Sequence, residues 1–240
     1  MIEWTDLGVI LSVRKYGEND IIMHALTENH GHHAGVIKGG NTRKRKGMYQ
    51  QGNHLHLRWR ARLLDHLGTF VCEPERMFAA GVLHDKKLLI ALSALCATAE
   101  MVLPEREVHS LAYRQVHHLL DTLGDRSWTT DYVLWEMHLL NELGFGLDLS
   151  SCAATGELEE LIYVSPRSGR AVSREAGIPY KNQLLTLPLF LTKEIEGIPP
   201  KEDVAAGLDL TGYFLERHVL AQHHRSLPDA RARLRNMVVC

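Results

Sequence analysis

The chain has 240 residues, 45% of them hydrophobic, with 29 acidic against 27 basic side chains. That length holds one large domain or two modest ones, and the near-neutral balance is ordinary for a soluble globular protein. No apolar run approaches the roughly 20 residues of a membrane span, and Met1-Ile2-Glu3-Trp4-Thr5-Asp6 lacks the segments of a secretory signal, so a cytoplasmic protein is expected.

The four cysteines, Cys72, Cys96, Cys152 and Cys240, lie far apart with no C-x-x-C pair, which suits a reducing compartment better than a disulfide framework. Charge is unevenly placed. Residues 1–80 carry 11 Lys and Arg against 8 Asp and Glu, whereas residues 81–240 carry 16 against 21, so the two halves are expected to face different partners.

In chain order, Leu7–Val13 reads as a short apolar strand and Ile21–Leu26 as another, after a turn at Gly17-Glu18-Asn19-Asp20. A third runs from Ala34 to Lys38, and Gly39-Gly40 opens a basic loop. From His54 to Leu63 the chain alternates. Leu55, Leu57, Trp59, Ala61 and Leu63 fall in one phase, and His54, His56, Arg58, Arg60 and Arg62 in the other. Period two makes one strand face apolar and the other basic, with arginines roughly 6–7 Å apart, close to the phosphate spacing of an extended single strand. Short strands with glycine-rich turns suggest a small barrel over residues 1–78.

From 79 onward the pattern is helical. Leu88–Val102 and His109–Leu123 carry apolar residues at steps of three and four, and a third helix is expected from Thr130-Asp131 to Leu143, with Thr and Asp as caps. Leu161–Val164 and Ala171–Ser173 flank Ser165-Pro166-Arg167-Ser168-Gly169 as a β-hairpin, and helices resume after Gln183, near Val204–His224, and after Ser226. The fold class is therefore α+β: a β-barrel followed by a mainly α-helical domain over 79–240, with a hairpin inserted at about 152–176.

The chemistry concentrates early. Between Asn29 and Leu64 there is no acidic residue but eight basic ones, Lys38, Arg43, Lys44, Arg45, Lys46, Arg58, Arg60 and Arg62. A one-signed stretch of this length repels itself unless solvent or a polyanion screens it, and phosphate backbones are the commonest such partner. Tyr49, in the loop, is a candidate for stacking on bases, while Trp59 shares the apolar phase of its strand and is expected in the core. Fifteen histidines include the pairs His32-His33, His117-His118 and His223-His224, but none sits in an H-E-x-x-H helix or beside a cysteine at ligand spacing. No metal site, phosphate-binding loop or nucleophile elbow stands out, so no cofactor and no catalytic residues are expected.

Several ordered motifs resemble the RecO family of bacterial recombination-mediator repair proteins. They are Tyr16-Gly17-Glu18-Asn19-Asp20, Thr27-Glu28-Asn29-His30-Gly31, Val36-Ile37-Lys38-Gly39-Gly40, Leu103-Pro104-Glu105-Arg106-Glu107, Leu143–Leu149, Tyr163–Gly169, Arg217-His218 and Leu227–Arg231. The resemblance implies an N-terminal OB-fold of five strands and a C-terminal helical domain. It implies binding of single- and double-stranded DNA, annealing of complementary strands and help in loading recombinase onto DNA coated with single-strand binding protein, without enzymatic chemistry. RecR and the acidic tail of single-strand binding protein are the implied partners. Arg217, His218 and Arg231 are candidates for tail docking because they lie in matching motifs. Many relatives carry a four-cysteine zinc site about the hairpin. Here Cys152 remains, but Thr155, Ser173 and Ala176 fall at the other positions, so zinc is not expected. The alternatives are a stand-alone OB-fold module binding nucleic acid, RNA included, and a histidine-dependent metallo-hydrolase.

Overall fold

The computed structural model describes residues 1–239; Cys240 lies outside the described residues. Five strands come first: β1 (Ile2–Tyr16), β2 (Asp20–Thr27), β3 (Gly31–Ile37), β4 (His54–Ala61) and β5 (Thr69–Arg76). They close into a barrel in the order β1-β2-β3-β5-β4, an OB-type arrangement. β1 is long enough to serve two partners. Its first half pairs with β4, from Ile2 opposite Ala61 to Val9 opposite His54, and its second half pairs with β2 as far as Tyr16 opposite Asp20. A register shift between Ile10 and Ser12 bends the strand where it passes from one neighbour to the other. β3 and β5 run parallel and close the barrel through a short pairing at Val36 and Thr69, past which the two strands part.

Alternation fills the interior with Ile21, Met23, Ala25, Leu55, Leu57 and Trp59. The strand over 54–63 departs from its expected pattern at both ends. His54 is buried, its Nε2 2.7 Å from the Tyr113 hydroxyl, and Leu63 is 52% exposed because the strand ends at Ala61. β5 carries no alternation that would reveal it: Pro74 and three charged residues occupy its second half, which is exposed.

Helices follow: α1 (Phe78–Val82), α2 (Lys86–Val102), α3 (Ser110–Asp121) and α4 (Trp128–Glu142). Asp85 caps α2 by accepting the N–H groups of Lys87 and Leu88 at 2.7 and 3.2 Å. The expected Thr130-Asp131 cap of α4 is displaced. The helix starts at Trp128, and Asp131 lies within it, accepting the Ser127 hydroxyl at 2.9 Å.

The chain divides into two compact units, residues 1–123 with 228–231, and residues 124–227 with the C-terminal segment from Ala232. The change from strand to helix falls at Met77, but the first unit runs on to Leu123 because α2 packs on β1 and β2, and Tyr113 of α3 reaches His54. In the second unit α4 packs on α6 (Lys201–Phe214), with the buried Thr211 hydroxyl 2.5 Å from the Glu136 carboxylate. Between them β6 (Leu161–Val164) pairs antiparallel with β7 (Ala171–Ser173), and α5 (Arg174–Gly177) follows directly. β8 (Leu185–Thr186) adds a third strand on β6, where the sequence suggested resumption of helix. α6 continues into a wide π-helical turn over Leu215–Leu220, and α7 (Asp229–Val239) ends the described chain.

Candidate nucleic-acid interface

The segment between β3 and β4 is held by hydrogen bonds rather than left as a free loop. The Gly39 N–H bonds the Asp20 carboxylate at 2.8 Å, the Asn41 N–H bonds the Asn19 carbonyl at 2.8 Å, and the N–H groups of Arg45 and Lys46 both donate to the Thr42 carbonyl at 2.9 Å. The turn so formed leaves Lys38, Arg43, Lys44, Arg45 and Lys46 exposed. Arg45 folds back to donate to the Lys38 carbonyl at 3.3 Å. This brings Lys38 and Arg45 to one side of a cleft of about 280 Å³ whose other walls include Arg60, Thr69 and Val71. The cleft sits where β3 and β5 part, so three cations distant in sequence share one concavity. Arg58 and Arg62 are not part of it. Arg58 lies outward on β4 with its Nε 2.5 Å from Glu3 of β1, and Arg62 stands beyond the strand end in an exposed turn. Among the described residues, no carboxylate lies within ion-pair distance of Lys38, Arg43, Lys44, Arg45, Lys46, Arg60 or Arg62.

A second cleft, of about 450 Å³, opens on the other side of the same turn and is lined by Arg14, Lys15 and Lys46. Arg14 and Lys15 lie outside the acid-free stretch, with Glu18 and Asp20 close behind them, so local charge does not mark them; the fold brings them to one cleft with Lys46. Arg14 is tethered to Glu100 of α2 at 3.4 Å, with its side chain 72% exposed.

Tyr49 corrects the expectation of a stacking aromatic. It is 5% exposed, packed in the barrel core, and burial pushes its hydroxyl up to about 12. The loop turns inward after Gly47, so its ring plugs the barrel and presents no free face to a base. Trp59 is also fully buried, with Nε1 donating to the carbonyls of Ala34 and Leu67 at 3.2 Å each. The aromatic ring this surface does offer is Tyr16, 52% exposed at the end of β1. It pairs in register with Asp20, whose carboxylate anchors the start of the basic turn.

Residues 1–107 match the family model described as Recombination protein O N terminal, and residues 83–228 match Recombination protein O C terminal. The chain belongs to the RecO family of DNA repair proteins. The DNA repair protein RecO of Rhodospirillum rubrum is 46% identical over 239 residues, covering 97% of this chain and 95% of that one. The RecO of Rhodospirillum centenum is 47% identical over 234 residues, 97% of this chain and 93% of its own. That of Methylocella silvestris is 43% identical over 231 residues, 96% and 93%.

Within this RecO-family chain, the three residues proposed from sequence for tail docking have different surroundings. Arg217 is exposed, its guanidinium 2.8 Å from the Tyr213 hydroxyl. His218 is stacked against Phe145 and Phe214, with ring centroids at 5.3 and 5.8 Å. Arg231 is 3% exposed, which removes it from any surface that a tail from solvent would meet. The second unit also has a groove of about 560 Å³ between α4 and residues 190–199, walled by Leu134, Phe190 and Ile198. Its charged side chains are Lys193, which binds Glu159 at 3.0 Å, with Asp131 and Glu194, a poor electrostatic match for an acidic peptide.

The zinc positions fail a chemical test. Cys152 Sγ accepts the Ser173 N–H at 3.3 Å; burial pushes the thiol up, but hydrogen bonds from Ser173 and Thr155 outweigh it and bring it down to about 6. One thiolate among Thr155, Ser173 and Ala176 does not make a tetrahedral site. Among the described residues no three His, Cys, Asp or Glu side chains converge as metal ligands. Cys72, Cys96 and Cys152 are free thiols, and no described helix is long and apolar enough to cross a membrane.

Proposed function

We propose that this protein is a cytoplasmic, non-enzymatic recombination mediator that binds single- and double-stranded DNA on its barrel, anneals complementary strands, and helps load recombinase onto DNA coated with single-strand binding protein. The observation that carries the reading is the convergence of Lys38, Arg45 and Arg60 on one cleft, with Arg43, Lys44 and Lys46 exposed on the same turn and without carboxylate partners among the described residues. Such a surface neutralises phosphates without reading base edges, because it has side chains on a turn and a strand and no recognition helix in a groove. Tyr16 supplies a ring for sequence-tolerant stacking beside them. Neutralising two backbones at once lowers their mutual repulsion, and weak sequence preference lets strands slide into register, which is the physical requirement for annealing. RecR and the tail of single-strand binding protein are the proposed partners, with Arg217 the exposed cation among the residues proposed for the tail.

The test is fluorescence-detected annealing of complementary strands precoated with single-strand binding protein. Annealing faster than the spontaneous rate is the expected result, with log affinity for a bare single strand falling against log salt at a slope of about −3 to −4, as roughly four to six phosphate contacts require. No acceleration together with salt-independent binding would sink the reading.

A further inference from the structure

The turn between β4 and β5 combines three exposed leucines with a backbone that is firmly held. Leu63, Leu64 and Leu67 are 52%, 64% and 37% exposed, and Val71, on the strand that follows, is 59% exposed. Exposed apolar residues scattered singly are ordinary, but three within five positions of one turn concentrate apolar surface there. The backbone beneath them is tied from three sides. The Arg106 guanidinium donates to the carbonyls of Leu64 and His66, Trp59 Nε1 donates to the Leu67 carbonyl at 3.2 Å, and the Gly68 carbonyl accepts the Val36 N–H at 3.0 Å. Gly68 has φ +69°, and a Cβ there would stand 2.4 Å from the Trp59 ring, so only glycine lets the turn sit this close to the core.

The neighbours of the patch say what would cover it. Arg60 and Arg62 immediately precede the leucines, neither has a carboxylate partner among the described residues, and Val71 shares the 280 Å³ cleft with Arg60 and Lys38. Asp65 is the turn's one acid. Cations beside a rigid apolar knuckle complement a ligand that is anionic along one edge and flat and apolar along the other. That ligand is a single nucleic-acid strand, its phosphates on the arginines and its unpaired bases against the leucines. We propose that the β4–β5 turn is an apolar wedge that packs against, and holds apart, the bases of a strand whose backbone lies on Arg60 and Arg62. Aliphatic side chains inserted between base steps are a known way to unstack them, and a duplex with its bases paired cannot offer the same faces without that cost. The wedge therefore favours single strands over duplex. This inference rests on the barrel's binding nucleic acid.

The test compares wild type with the double variant Leu63→Ser/Leu64→Ser on two oligonucleotides of equal length, one ordinary and one made of abasic units, each titrated at several salt concentrations. Both leucines are exposed, so the variant is expected to melt at the wild-type temperature. The expected result is about a tenfold loss of affinity for the ordinary strand, no change for the abasic strand, and an unchanged salt slope. Equal losses on both strands, or unchanged affinity for the ordinary one, overturn the wedge, while leaving salt-dependent binding by the basic turn intact. Wild type that binds neither strand sinks the nucleic-acid reading itself, and the wedge with it.

Discussion

Two tyrosines near the basic turn differ sharply in burial, and opposite effects of mutation follow from that. Tyr49 fills the barrel, so Tyr49→Ala should leave a large cavity and cost about 3 kcal/mol or more of folding stability, read as a lower urea midpoint. Tyr16 packs little, so Tyr16→Ala should leave the midpoint nearly unchanged but weaken single-strand binding by about 1–3 kcal/mol, with Tyr16→Phe retaining most of the affinity. The reverse outcome would return the stacking role to Tyr49. Buried histidines add a pH dependence. Burial pushes His54 and His33 down from 6.5 to about 4, so each is neutral when folded. Between those values the unfolded chain binds more protons than the folded one. Their contribution is therefore complete above pH 6.5 and is lost as pH falls towards 4, at up to about 3 kcal/mol for each. Melting temperature should drop across that window, and more shallowly in His54→Gln.

At the scale of single elements, the basic turn and β4 have different electrostatic surroundings although their cations look alike in sequence. Replacing Arg43, Lys44, Arg45 and Lys46 together by alanine should weaken binding to every sequence and flatten the salt slope by about 3 if all four touch phosphate. Unchanged salt dependence would remove the turn from the interface. β4 is moderated by its partner strand, because Glu3 lies opposite Arg60 and binds Arg58. Glu3→Gln should free Arg58 and raise single-strand affinity, steepening the slope by at most about 0.7. The alternation of β4 was readable because one face is core and the other solvent. The strand's limits were not. His54 is buried by Tyr113, which comes from a helix more than fifty residues away, and Leu63 falls past the point where β1 begins and has no strand left to pair with Ala61's successors. β5 was invisible for a related reason: most of its residues are exposed, so no periodic burial marks it.

For the molecule as a whole, the charge division foreseen from sequence corresponds to a cationic barrel followed by a net-acidic, mainly helical remainder. The three-stranded sheet of β6, β7 and β8 is held by pairing and by the Ser173–Cys152 contact, with a donor set unsuited to zinc. Incubation with a strong chelator should therefore leave the melting temperature unchanged; a marked drop would mean that a metal is structural after all. What the residues alone determined was the presence of a barrel, the run of helices after Met77, and an acid-free basic stretch between Asn29 and Leu64, since periodicity and local charge are properties of neighbouring positions. What only the tertiary structure decided was which cations lie together. Lys38, Arg45 and Arg60 meet because β3 and β5 part at the barrel's end, Arg58 is drawn aside by a carboxylate fifty-five positions away, and Tyr49 is swallowed by the core. Each of those outcomes depends on strand pairing and chain closure between distant segments, and no local pattern encodes them.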